Sequence, residues 1–257
     1  MAPLEKALAS KHPFVYWHVS TIEPVQIGQA ITANSSIEID VSFDDRAETP
    51  ADKRVFIGHP LTFYTELKHL PLPNNVPFAD AIQSLKNSST IIVFDCKDER
   101  AISVIKNAIR ELGVSRVIVH AFIKEWGFPY PDGTIPEPHW DTEDVRLAAI
   151  KELHEATGVN IIGAIRGFSV DRLEKNPLVA NAIAQAGNTF KSISIYLPGT
   201  DIPPTQFLQQ IADAGYLPWL NIDKVTDEST LPNDLSVYVA MTEDLAKATK
   251  VEELAQW

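Results

Sequence analysis

The chain has 257 residues, of which 45% are hydrophobic and 22% charged, and its 22 basic and 34 acidic side chains give a formal net charge of −12. This is an ordinary globular composition. The negative balance argues against a nucleic-acid or anionic membrane surface as partner, because either would need clustered Lys and Arg. No apolar run approaches the roughly 18 residues of a membrane span, so we expect a protein that is not integral to a membrane.

Cysteine usage and the N-terminal segment bear on the compartment. Cys96 is the only cysteine, so no internal disulfide can form and nothing favours an oxidising environment. Residues 1–11 lack the basic-then-apolar layout of a secretory signal. We therefore expect a cytoplasmic protein, with the processed form of a secreted chain as the alternative.

Short runs rich in β-branched and aromatic residues predict eight strands. In chain order they are Phe14–Ser20, Ser36–Phe43, Thr90–Lys97, Arg116–Phe122, Val159–Arg166, Ser192–Leu197, Leu217–Asp223 and Ser236–Met241. Amphipathic stretches between them predict helices, several of which end at a glycine. The clearest are Glu99–Leu112, Thr142–Thr157, Val170–Ala186 and Pro204–Ala214, followed by Gly113, Gly158, Gly187 and Gly215.

Eight alternating strand and helix units in about 250 residues predict an α/β protein, a closed (β/α)₈ barrel in a single domain over residues 1–257. A doubly wound open sheet is the second interpretation. The sequence does not indicate a dinucleotide site in such a sheet, because no Gly-x-Gly-x-x-Gly follows an early strand. Two segments interrupt the regular pattern: an extra apolar run, Arg54–Pro60, expected as an excursion above the barrel, and the long aromatic connection Trp126–Trp140, a candidate lid.

Acidic side chains cluster where two predicted strands end. Glu38 and Asp40 alternate with apolar residues, so period-two geometry points both carboxylates into the barrel. Asp95 and Lys97 repeat this pattern on the next barrel strand. Desolvated carboxylates repel one another unless a cation or protons neutralise them, and oxygen ligands favour a hard metal. We therefore predict that Glu38, Asp40 and Asp95 bind Mg²⁺, with Ca²⁺ or Mn²⁺ as alternatives and simple pairing of Asp95 with Lys97 as the competing interpretation.

Two histidines are placed to overlook such a metal. His18 closes the first predicted strand, and His59 ends the excursion after the second. Two imidazoles on opposite sides of a phosphate allow one to remove a proton or attack directly while the other protonates the departing oxygen. Each histidine taken separately fits a structural role equally well, so the prediction depends on their coincidence with the carboxylates.

These residues together resemble the phospholipase C-like phosphodiesterase superfamily. The resemblance is carried by His18, the segment Asn34–Asp45, Gly58-His59 and Phe94-Asp95-Cys96-Lys97. The sequence is most similar to the sphingomyelinase D-like phospholipases, with glycerophosphodiester phosphodiesterases and menorin-like proteins as relatives. Two departures concern the substrate. Val19 stands where glycerophosphodiesterases usually carry Arg. The sphingomyelinase D-like members typically hold the loop after their second histidine with a disulfide, whereas this sequence has residues 60–64 there and no pair of cysteines.

The resemblance implies a barrel enzyme that binds one Mg²⁺ through Glu38, Asp40 and Asp95. It also implies that His18 and His59 form the catalytic pair and that Lys97 neutralises the phosphate. A tryptophan near the seventh strand commonly borders such a site, and Trp219 is the match, although barrel packing explains it equally well.

Further polar residues at predicted strand ends are weaker candidates for substrate contact. His120 and Arg166 would project near the open face, where the Arg166 guanidinium could bind phosphate in a bidentate manner. Structural pairing is the competing role for each residue. Aromatic faces attract quaternary ammonium groups, which makes the connection between strands four and five a candidate choline wall. Its members are Trp126, Tyr130, His139 and Trp140.

The sequence thus predicts a Mg²⁺-dependent enzyme, a phosphoric diester hydrolase or a phospholipase D-type lyase. Its substrate would be a small lysophospholipid or glycerophosphodiester, and its product a hydrolysed or cyclic phosphate. Two alternatives stay open: a catalytically silent barrel that binds metal or phosphate as a scaffold, and a barrel enzyme that uses the acidic cluster for other chemistry.

Overall fold

The structure, a computed structural model, describes residues 1–19, 24–60, 76–124, 140–166, 178–196, 203–224, 235 and 237–254. Within these residues, ten strands form one sheet. They are β1 (Phe14–Trp17), β2 (Ile37–Phe43), β3 (Val55–Ile57), β4 (Val76–Pro77), β5 (Ile92–Cys96), β6 (Val117–Lys124), β7 (Asn160–Arg166), β8 (Phe190–Tyr196), β9 (Leu217–Asn221) and β10 (Val239–Thr242).

Eight of these strands are parallel neighbours in the order β1-β10-β9-β8-β7-β6-β5-β2, and a pairing of β1 with β2 closes the ring. The predicted (β/α)₈ barrel is therefore confirmed. All eight barrel strands coincide with the eight predicted from the sequence, with ends that differ by a few residues. Hydrophobic runs of β-branched residues form these strands because parallel strands are covered on both faces.

Helices surround the barrel. They are α1 (Pro3–Ser10), α2 (Pro24–Ala33), α3 (Phe78–Leu85), α4 (Ile102–Leu112), α5 (Trp140–Thr157), α6 (Leu178–Ala186), α7 (Thr205–Asp213) and α8 (Leu245–Leu254). Helix α4 ends at Gly113, whose φ of 89° suits a residue without Cβ and stops the helix. Helix α5 starts two residues before its predicted beginning, and α6 is described from Leu178 onward. No described helix is long and apolar enough to cross a bilayer.

The core has two layers because strand residues alternate between the two faces. Ile37, Ile39 and Val41 point outward and pack with the helices. The inward layer fills the barrel and includes Val93 and Ile118, and it is joined from the floor by α1. The chemistry-bearing side chains share the inward parity, so they lie above this packed floor at the carboxyl ends of the strands.

The excursion after β2 is present as expected. Strand β3 runs antiparallel to β2, with Val41 opposite Ile57, and β4 pairs with β3. The backbone N–H of Gly58 donates to the Asp40 carbonyl at 2.9 Å. This pairing brings His59 back over the acidic strand. By contrast, the predicted lid and choline wall fall on residues 125–139 and on the Trp140 side chain, which lie outside the described part of the protein.

Candidate active site

Strand register places the acidic residues and one histidine at the same level of the barrel. Asp40 is opposite Asp95, and Asp95 is opposite His120. Glu38 lies one inward position below Asp40 on the same strand. The four residues are between 3% and 7% exposed, so three carboxyl groups and an imidazole share a desolvated space.

Lys97 holds two of these carboxylates together. Its ammonium contacts Oδ2 of Asp95 directly and lies 3.2 Å from Oδ1 of Asp40. Burial acts to lower the pKa of Lys97, but the charges of Asp40, Asp95 and Glu38 outweigh burial and raise the pKa. Lys97 is therefore a cation at any physiological pH. Against three carboxylates, this one ammonium leaves negative charge uncompensated.

Glu38 carries the greatest electrostatic penalty of the cluster. Burial, and then the charges of Asp95 and Asp40, raise the pKa of Glu38 well above its ordinary value. Tyr16 hydrogen-bonds to this carboxyl group, while its Oε2 is buried with no hydrogen-bond partner among the described residues. Without a bound metal ion, the Glu38 carboxyl group therefore tends to keep its proton.

Asp95 behaves in the opposite way. Burial acts to raise its pKa, but the charges of Lys97 and His120 outweigh burial, so the pKa of Asp95 is lowered. Its Oδ2 receives the Lys97 ammonium, whereas Oδ1 is buried without a hydrogen-bond partner in the described residues. Asp95 thus offers one ionised oxygen to the interior of the site.

Two further histidines flank the cluster. His18 Nε2 lies 3.9 Å from Oε1 of Glu38, and His59 Nδ1 lies 3.3 Å from Oδ2 of Asp40. Burial lowers the pKa of both imidazoles, although Asp40 acts in the opposite direction. Both rings are therefore largely neutral near pH 7, the form in which an imidazole accepts a proton or attacks as a nucleophile.

One set of side chains has the spacing of a metal centre. A carboxylate oxygen of Glu38, one of Asp95 and a ring nitrogen of His120 all lie within 4.8 Å of one another. The donors and the uncompensated negative charge fit a divalent cation. Asp40, the third predicted ligand, lies beside this group, with its two oxygens turned toward Lys97 and His59.

Among the predicted substrate-binding residues, Trp219 has the clearest surroundings. It is buried, its Nε1–H donates to the Tyr16 hydroxyl at 2.8 Å, and its ring is stacked on His120 with 6.2 Å between centroids. Arg166 ends β7, but its side chain lies outside the described part. Sequence reasoning missed Tyr16, although Tyr16 lies on β1 two residues before His18 and shares its inward parity, a signal that could have found it.

Comparison with known proteins agrees with the barrel architecture. No family model and no curated protein matches the chain. Among solved structures, a glycerophosphoryl diester phosphodiesterase of Agrobacterium tumefaciens superposes with a TM-score of 0.57 at 15% identity, over 95% of this chain and 98% of the other. A glycerophosphodiester phosphodiesterase from the same organism superposes with a TM-score of 0.51 at 12% identity, over 94% and 99%.

These two phosphodiesterases belong to the phospholipase C-like superfamily, so the predicted resemblance is confirmed at the level of fold. Barrels of another chemistry are similar as well. A 2,3-dimethylmalate lyase of the PEP mutase/isocitrate lyase superfamily has a TM-score of 0.51 at 12% identity, over 98% of this chain and 83% of the other. At these identities the similarity establishes a shared architecture, and the function must be argued from the site.

Proposed function

We propose that this protein is a divalent-cation-dependent phosphodiesterase that acts on a small phosphodiester, of the lysophospholipid or glycerophosphodiester type. The observation that carries the proposal is one buried cluster at the carboxyl ends of the barrel strands. It combines the carboxylates of Glu38, Asp40 and Asp95 with the Lys97 ammonium and two flanking histidines. In barrels of this kind the chemistry takes place at that end.

The cation fits because it resolves the electrostatics of the cluster. Glu38, Asp40 and Asp95 supply the negative charge, and one buried oxygen of each has no hydrogen-bond partner in the described residues. Mg²⁺ is the expected occupant, with Ca²⁺ or Mn²⁺ as alternatives. When bound, such an ion withdraws charge from the phosphoryl oxygens of a substrate and so stabilises the transition state.

Lys97 and the two histidines carry the remaining steps. The Lys97 ammonium, fixed between Asp40 and Asp95, neutralises a phosphate oxygen at the mouth of the barrel. Asp40 favours a proton on Nδ1 of His59, which makes Nε2 the nitrogen that exchanges a proton with substrate. One imidazole attacks phosphorus or removes a proton from an internal hydroxyl, and the other protonates the leaving oxygen. Water or that internal hydroxyl completes the displacement, giving a hydrolysed or a cyclic phosphate.

The substrate is held from the other side of the barrel mouth. In this proposal His120 and Arg166 contact the phosphate or its head group, and Trp219 borders the site from β9. Trp219 stacks on His120, which lies opposite Asp95 in the β5–β6 register. A competing function is chemistry without phosphodiester cleavage at the same acidic cluster, which the lyase with a similar barrel makes worth testing.

The proposal is tested by assaying the purified protein against a panel of phosphodiesters with Mg²⁺ and with EDTA. We expect cation-dependent cleavage that falls by about 10²–10⁴-fold in His18→Ala, because a general acid or base contributes a factor of that size. His12→Ala is the matched control. His12 precedes β1 at the opposite end of the barrel, whereas His18 follows the same strand at the open end. Full activity is expected of this control.

Two results would reject the proposed phosphodiesterase activity. If the cation binds and every phosphodiester in the panel stays intact, the barrel is a binding protein or scaffold. If a product forms without phosphoryl transfer, the competing chemistry is correct. Activity in EDTA equal to that in Mg²⁺ would remove the cation from the proposal while leaving the histidine pair in place.

A further inference from the structure

We infer that His120 is a nitrogen ligand of the cation, so that the ion is bound by Glu38, Asp95 and His120, and Asp40 instead positions Lys97 and His59. This inference rests on the proposed cation site and revises its ligand set: His120, proposed above as a substrate contact, binds the ion instead, and Asp40 is no longer a ligand. It assigns a mixed oxygen and nitrogen coordination, and with it a stronger preference for Mn²⁺ and Co²⁺ over Mg²⁺ than three carboxylates alone would produce.

Distances favour this set of three residues. Metal–ligand bonds of about 2.1 Å place two donors on one ion about 3.0 Å apart at right angles and about 4.2 Å apart in line. The donor atoms of Glu38, Asp95 and His120 already lie within 4.8 Å of one another. Small side-chain adjustments therefore bring all three to one ion, without a change in the strands that carry them.

Hydrogen bonding points to the same assignment. Oε2 of Glu38 and Oδ1 of Asp95 are buried and have no hydrogen-bond partner in the described residues, which is costly for carboxylate oxygens unless a cation meets them. Oδ1 of Asp40 also has no hydrogen-bond partner in the described residues, but both oxygens of Asp40 have a basic neighbour. Oδ1 lies 3.2 Å from the Lys97 ammonium, and Oδ2 lies 3.3 Å from Nδ1 of His59.

Trp219 supports both sides of the inferred site. Its Nε1–H donates to the Tyr16 hydroxyl, which hydrogen-bonds to Glu38, and its ring face stacks on the His120 imidazole. One indole therefore orients a carboxylate and an imidazole that approach the ion from different strands. Such supporting contacts are typical of residues behind metal ligands. We accordingly interpret Trp219 as a positioning residue as well as a border of the site.

An imidazole ligand changes which metal binds best. Mg²⁺ and Ca²⁺ prefer oxygen, whereas Mn²⁺, Fe²⁺, Co²⁺ and Zn²⁺ accept nitrogen more readily. With His120 in the coordination sphere, the site binds Mn²⁺ or Co²⁺ more tightly than Mg²⁺. Replacement of His120 by Gln, which offers a carbonyl oxygen in a similar volume, reduces that preference.

The experiment is pulsed EPR of the purified full chain titrated with Mn²⁺, with calorimetry of Mn²⁺ and Mg²⁺ binding beside it. We expect the wild type to show coupling from one directly coordinated imidazole nitrogen, lost in His120→Gln and retained in His59→Gln. The second variant is the control, because His59 is a histidine at the same cluster but is half-buried and faces Asp40. Mn²⁺ affinity should fall at least about tenfold in His120→Gln, with a smaller change for Mg²⁺.

The wild-type spectrum decides the question even if a variant fails to fold. Mn²⁺ bound with no nitrogen coupling overturns the inference and leaves the proposed phosphodiesterase intact. Coupling that persists in His120→Gln assigns the nitrogen to another histidine and also overturns it. If the wild type binds neither Mn²⁺ nor Mg²⁺, the cation-dependent function fails together with the inference.

Discussion

Glu38 is a buried residue that lowers the stability of the fold at high pH and serves the proposed cation site. Its raised pKa, caused first by burial and then by Asp95 and Asp40, means that the folded chain binds a proton that the unfolded chain releases. The stabilisation from this group is therefore present at low pH and lost as pH rises toward the raised value. We expect Glu38→Gln to raise the melting temperature of the cation-free protein at pH 8, by about 2–4 °C for each kcal/mol gained, while abolishing phosphodiesterase activity.

Thermal unfolding in EDTA at pH 5 and pH 8 measures this effect. Glu155→Gln makes the same chemical change on the exposed side of α5, and its melting temperature should not move. Divalent cation should stabilise the wild type, because it binds the folded state, and should not stabilise Glu38→Gln. A melting temperature of Glu38→Gln at pH 8 equal to or below that of the wild type would contradict the electrostatic account.

Which residues face the barrel interior can be deduced from the sequence, whereas which of them pair cannot. Alternation along two strands is enough to group Glu38 and Asp40 with Asp95 and Lys97, because parity alone decides the face. The position of the Lys97 ammonium between Asp40 and Asp95 depends on side-chain rotamers and on cross-strand register. The nearness of His120 to Asp95 likewise follows from the β5–β6 register, which single-strand patterns do not contain.

At the scale of elements, the connection between β2 and β3 is held by one carboxylate. Asp44 is buried and accepts hydrogen bonds from the backbone and guanidinium of Arg46 and from the Thr49 hydroxyl. The side-chain hydrogen bond from Arg46 is the largest cause of the lowered pKa of Asp44. Because β3 positions His59, this connection links loop geometry to the proposed catalytic pair.

We expect Asp44→Asn to destabilise the fold by about 1–3 kcal/mol at pH 7, the usual cost of losing hydrogen bonds to a charged group. The lowered pKa means that the stabilisation is present above the ordinary carboxyl pKa and lost as pH falls through the lowered value. The variant should therefore lose less stability than the wild type between pH 5 and pH 2. Urea unfolding across this range measures the difference.

Asp45→Asn is the matched control for this element, since Asp45 is the exposed neighbour in the same turn. It should leave both the free energy of unfolding and its acid dependence near the wild-type values. The account is wrong if the two variants lose equal stability, or if Asp44→Asn keeps the full acid dependence of the wild type.

Several helices between barrel strands could be predicted from their pattern, whereas α1 could not. The helix expected over Thr142–Thr157 appears as α5, since a pattern of this length repeats the helical period several times. Helix α1 spans only Pro3–Ser10, about two turns, which is too short for periodicity to distinguish it from a loop. Its start signal is Pro3 in the first turn, and its role depends on contacts with strands that are distant in sequence.

The barrel as a whole depends on its floor as well as on its closed ring of strands. Leu4 of α1 is fully buried in the interior cluster, and its backbone N–H donates to Oδ1 of Asn160 on β7 at 2.8 Å. Helix α1 contacts β1, β6 and β7, which are far apart in the chain. Closing the lower end in this way excludes water from the layer beneath Glu38 and Asp95, where desolvation sets the properties of the site.

We therefore expect Leu4→Ala to destabilise the protein by about 2–5 kcal/mol, the range for removing a buried leucine side chain and leaving a cavity. Leu8→Ala removes the same atoms from the same helix at a side chain that is 42% exposed, and should cost well under 1 kcal/mol. Urea unfolding of both variants, each with and without bound Mn²⁺, measures the difference. Equal losses of stability would show that α1 packs on the barrel without closing it. If α1 fills the floor, truncating its buried Leu4 must cost much more stability than truncating its exposed Leu8.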